Sequence, residues 1–73
     1  MNAYEAKVIK GRLISKLESM GISASATDSA SIIVFTDRPV TARSFRFSKQ
    51  RGLVEPYMTS FGPRAAEKFI ANN

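Results

Sequence analysis

The sequence predicts an α+β fold: an N-terminal helix, a small antiparallel sheet of three strands with a fourth supplied by residues 53–59, and a short C-terminal helix. Three observations predict it. Ala6, Ile9, Leu13, Leu17 and Met20 recur at steps of three and four, which places them on one helical face. Residues 31–36, Ser-Ile-Ile-Val-Phe-Thr, are rich in the β-branched and aromatic side chains that fit a pleated surface. Gly62-Pro63 then precedes a second helical pattern in which Ala65, Ala66, Phe69 and Ile70 can cover a sheet. The 73 residues form a single domain, 1–73, with a thin core, because a chain this short buries only roughly 60–65% of its unfolded surface.

The first helix is expected over residues 3–20. Asn2 can cap it, and Glu5 sits three positions later in a capping-box spacing. Gly11 lies inside this helix and costs about 1 kcal/mol relative to Ala. Gly21 follows as a C′ stop. An amphipathic helix of this kind can also lie on a membrane surface, but such a stripe is usually buried in a core.

Residues 22–27 alternate Ile22, Ala24 and Ala26 with Ser23, Ser25 and Thr27, a strand periodicity with small side chains. Asp28-Ser29 supplies turn chemistry before the strand at 31–36, and residues 36–39 turn again, with Pro39 fixing φ. Residues 40–48 predict a third strand. Phe45 and Phe47 share one face, and Ser44, Arg46 and Ser48 share the other. Val40 and Ala42 have the Arg46 parity, so the apolar face switches within the segment. A bulge near 42–44, or a shorter strand, accounts for that. Residues 49–52 close the segment as a turn. Residues 53–59 add a short strand, which Pro56 confines to an edge.

The charge is uneven. Lys and Arg number 11, Asp and Glu 6, and the net charge is +5. Residues 38–52 hold Arg38, Arg43, Arg46, Lys49 and Arg51 with no acid, numerically the whole excess. A patch of this kind speeds encounter with anionic surfaces, whether nucleic acid or acidic protein; it also serves as a solubilising face.

The catalytic inventory is thin. The chain has no Cys and no His, which removes disulfides, Cys/His zinc sites, thiol nucleophiles and imidazole bases. None of the nine Ser sits in a G-x-S-x-G elbow. The carboxylates Glu5, Glu18, Asp28, Asp37, Glu55 and Glu67 are scattered singly, and the four Gly form no phosphate loop. The expectation is a binding protein, not an enzyme, with no cofactor, no metal and no small-molecule substrate. The first twenty residues spread Lys7, Lys10, Arg12 and Lys16 without an apolar core, and the longest apolar run is Ile32–Phe35. Neither a secretory signal nor a membrane span is expected, and the chain reads as cytoplasmic.

One constellation has shape: Arg43-Ser-Phe45-Arg46-Phe47-Ser-Lys49 interleaves basic and aromatic residues. It resembles the aromatic strand of an RNA-recognition sheet, where rings stack on bases and cations hold phosphates, but the glycines of that motif are missing and the preceding β-α order differs. Alternation on a half-buried strand predicts instead that Phe45 and Phe47 are core beneath the first helix, with Arg46 outside. Tyr57, beside Pro56, is either an interface anchor or a cover over the core. The partner-binding candidates are Lys7 and Lys10 on the first helix, then Arg43, Arg46, Arg51 and Tyr57.

The whole chain, opening Met-Asn-Ala-Tyr-Glu-Ala-Lys-Val-Ile-Lys, resembles the small Xanthomonas-phage regulators that bind host RNA polymerase. The resemblance rests on length, basic character and that opening segment. It implies a non-enzymatic phage protein in the host bacterial cytoplasm. Such a protein docks on the large β and β′ subunits, weakens σ-factor engagement at promoters and promotes antitermination. It carries over no binding residue, because no motif matches position by position. The alternative from the residues alone is a basic nucleic-acid-binding module built on the Arg/Phe strand.

Overall fold

The computed structural model describes residues 2–46 and 56–72. Its elements are α1 (Ala3–Ser19), β1 (Ala24–Ala26), β2 (Ile32–Thr36), β3 (Phe45–Arg46), β4 (Tyr57–Phe61) and α2 (Pro63–Asn72). The architecture is the expected α+β arrangement of two helices and a four-stranded antiparallel sheet.

Both ends of α1 follow from local chemistry. The Asn2 side chain accepts from the Glu5 amide at 2.8 Å, and Glu5 Oε1 accepts from the Asn2 amide at 3.2 Å, which completes the capping box. At the other end Gly21 adopts φ 81, a left-handed conformation that suits glycine. This lets the Gly21 amide donate to the Glu18 carbonyl and the Ile22 amide to the Leu17 carbonyl, both at 3.0 Å. That pair of bonds is a Schellman closure, and it brings Ile22 into the core. Met20, expected on the apolar stripe, is instead the cap residue and is exposed.

The sheet order is β1-β2-β4-β3. β1 pairs with β2 (Ala24↔Thr36, Ala26↔Val34), β2 with β4 (Ile32↔Phe61, Thr36↔Tyr57) and β3 with β4 (Phe45↔Met58, Arg46↔Tyr57). The first strand is shorter than the expected 22–27. β4 is not an edge strand, as Pro56 had suggested. Pro56 stands immediately before β4, so its missing N–H costs the ladder nothing.

The expected strand over 40–48 begins only at Phe45, and Phe47, Ser48, the turn at 49–52 and the first part of the expected strand 53–59 lie outside the described residues. Ser44 is the reason for the late start. Its hydroxyl accepts from the amides of Val40 (2.9 Å) and Thr41 (3.1 Å), and its own amide donates to the Thr41 carbonyl. A side chain that captures backbone donors locally offers the chain an alternative to the ladder. The same hydroxyl shares a 2.7 Å hydrogen bond with Thr59 Oγ1, which satisfies that fully buried group.

Both helices lie against one face of the sheet. Ala6, Ile9, Leu13 and Leu17 of α1 and Ala66 and Phe69 of α2 pack with Ile32, Val34 and Phe61, flanked by Ala24 and Ala26. Phe61 and Phe69 meet edge to face at 5.7 Å. Arg12 bridges to Glu67 at 3.1 Å across the two helices, but both side chains are half exposed, so the pair adds little.

Candidate interaction surfaces

The structure does not gather the sequence-predicted partner residues into one site. Lys7 is exposed on α1, beside the turn at residues 27–29. Arg43 lies in the turn before β3, and Arg46 and Tyr57 form a pair across β3 and β4. Arg51 lies outside the described residues.

Lys10 corrects the expectation of a free surface cation. It is only 4% exposed, and its Nζ donates to the carbonyls of Thr27 and Ser29, each at 2.6 Å. A buried ammonium is costly unless its donors are satisfied, and charge-assisted bonds to carbonyl oxygens satisfy them here. Lys10 therefore ties α1 to the β1–β2 turn. The signal was present in the spacing. Lys10 stands four residues after Ala6 and three before Leu13, on the apolar stripe itself.

Phe45 is a second correction. It is 51% exposed, where alternation predicted core. Its register with Met58, which is itself paired with Phe35 and through it with Ser25, places it on the sheet face away from the helices. The Val40/Ala42 parity switch was the sequence trace of this. The turn resets which face Phe45 occupies. Arg46 is exposed as expected. Its guanidinium carbon lies 5.4 Å from the Tyr57 ring centroid, and its Nη2 donates to the Tyr57 hydroxyl at 3.0 Å. Tyr57 is thus a half-buried strand residue whose ring and hydroxyl both engage Arg46.

Two grooves border the helices. Between α1 and α2 a groove of roughly 700 Å³ is lined by Tyr4, Val8, Arg12, Pro63, Arg64 and Glu67. Tyr4 (75% exposed) and Val8 make its apolar part. Between residues 41–43 and α2 a groove of roughly 400 Å³ is lined by Arg43, Ser60, Phe61, Ala65, Lys68 and Phe69 among others. Sequence reading missed Lys68, because it is far from the basic segment in the chain and only the sheet order brings it beside Arg43.

Among the described residues no group of three His, Cys, Asp or Glu side chains could hold a metal ion, and no helix is long and apolar enough to cross a membrane. Comparison of the chain with protein-family models, with curated protein sequences and with solved structures found no match.

Proposed function

We propose that this domain is a non-enzymatic regulator that binds bacterial RNA polymerase through the β and β′ subunits, opposes σ-factor engagement at initiation and promotes antitermination. Two supports stand behind the reading. The full-length resemblance set out above supplies the polymerase. The observation that supports a protein-binding role is the groove beside α2, where Arg43 and Lys68 flank apolar side chains and, among the described residues, neither cation's side chain has a partner. A domain of this size can offer a patch of about 800 Å², enough for a specific complex. Excluding a competitor needs only overlapping or mutually exclusive contacts, not chemistry.

The test uses purified core polymerase and the full-length protein. Co-elution in size-exclusion chromatography at moderate salt is expected, together with reduced promoter-dependent transcription and more read-through at a terminator template. A core enzyme that never co-elutes, with transcription unchanged, ends this reading.

A second reading has its own observation. Phe45 stands exposed on the helix-free sheet face in a chain of pI about 10.1, which favours base stacking on a basic protein. It predicts retarded migration of short single-stranded oligonucleotides, weakening steeply with salt. Absence of any shift at about 50 mM salt removes it.

A further inference from the structure

The groove between residues 41–43 and α2 differs from its surroundings in charge. Among the described residues it is lined by two cations, Arg43 and Lys68, and by no carboxylate. Both are exposed, and among the described residues neither side chain enters a hydrogen bond or an ion pair. The larger groove between the helices has no such bias, because Arg12 and Arg64 share its lining with Glu5 and Glu67. The paired row on the open sheet face, Ser25, Phe35, Met58 and Phe45, carries no charge at all. The charge-biased groove also has an apolar part, formed by Phe61, Ala65 and Phe69.

That combination selects an occupant. Two unpaired cations beside apolar carbon complement a carboxylate with an aliphatic neighbour. A nucleic acid would use the cations equally well, but it would also want an open ring face for stacking. The aromatic rings here are spent: Phe61 is 8% and Phe69 9% exposed, packed edge to face against each other. We infer that this groove is the docking site for an acidic, aliphatic segment of a partner protein, with a carboxylate held between Arg43 and Lys68 and an aliphatic side chain against the exposed Ala65, at the edge of the buried Phe61. The inference rests on the reading of the chain as a protein-binding domain, and it adds the chemistry of the segment that would be bound.

The experiment titrates isotope-labelled full-length protein with three probes, followed by amide chemical shifts. The probes are the capped peptide Asp-Leu-Glu-Leu-Asp-Leu, its Asn/Gln analogue and a short oligothymidylate. The acidic peptide is expected to move the amides of residues 41–43, 62, 65 and 68, and to bind at least about tenfold more tightly than the amide analogue, with an affinity that falls as salt screens the pair. Lys68→Glu together with Arg43→Glu should abolish the shifts, while Lys7→Glu should leave them in place. Both reversed residues are exposed and have no side-chain partner among the described residues, so the fold is expected to survive, and the spectrum outside the groove reports that directly.

Equal binding of the acidic and neutral peptides, shifts confined to other surfaces, or tighter binding of the oligothymidylate at these residues each overturns the proposal. Polymerase co-elution provides the separate readout. Core enzyme retained equally by wild type and by the double reversal sinks the groove and leaves the proposed function standing. Peptide binding at the groove without polymerase retention does the reverse.

Discussion

The two faces of the sheet do unequal work. On the helix side Ile32, Val34, Thr36, Thr59 and Phe61 are buried, and Leu13 and Leu17 close over them without exposed surface. On the other side Phe35, Met58 and Ile33 are half buried, and Ser25, Ser60 and Phe45 are exposed. A domain of 73 residues has two helices to cover a sheet, and both went to the same side. The lesson is that cohesion is concentrated on one face, and the residues elsewhere are held in place without being required for it.

Substitutions can break or sharpen this contrast. The largest effect belongs to Leu13→Ala, which opens a cavity at a fully buried position and should cost about 2–5 kcal/mol in urea unfolding. A total stability of roughly 4–11 kcal/mol is expected at this length, so that variant stands close to unfolding. Lys10→Met comes next. It removes the donors for the Thr27 and Ser29 carbonyls and should cost about 1–3 kcal/mol, with faster amide exchange in the β1–β2 turn. A Lys10→Met protein of unchanged stability would show that the apolar stem of Lys10, rather than its ammonium, belongs to the helix-side core. Gly21→Ala should cost about 1 kcal/mol, because φ 81 is strained for a residue with a Cβ even though open space surrounds the position. The smallest effect is expected for Phe45→Ser, within about 0.5 kcal/mol of wild type. A loss there comparable to that of Leu13→Ala would erase the distinction between the faces.

Much of the fold was legible because local rules and the tertiary structure agree. The capping box at Asn2 and Glu5, the stop at Gly21, the stripe through Leu17 and the β-branched run at residues 32–36 are each written in a few neighbouring residues. The misreadings share a different cause. Pro56 looked like an edge marker because its position one residue before the strand depends on pairing that the local sequence does not encode. Phe45 looked like core because alternation assumes an uninterrupted strand, and Ser44 interrupts it through a contact with Thr59, fifteen positions away. The charge of Lys10 points to solvent, while its spacing places it on the apolar stripe. The candidate site was the least legible part. The fold places Lys7 and Arg43 in different grooves, and it brings Lys68 of α2 into one groove with Arg43.

The placement of β4 between β2 and β3 bears on how the chain is made. The longest ladder among the described residues, β2 with β4, joins residues separated by the whole of the basic segment, and Arg12 meets Glu67 across 55 positions. Until residues 57–61 leave the ribosome, β2 has a partner on one side only, and its other edge of Ile and Val stands open to whatever strand is nearby. A nascent chain stopped before Tyr57 is therefore an aggregation hazard rather than a smaller version of the protein. Emergence of residues 57–61, not the early formation of α1, is the event that covers that edge.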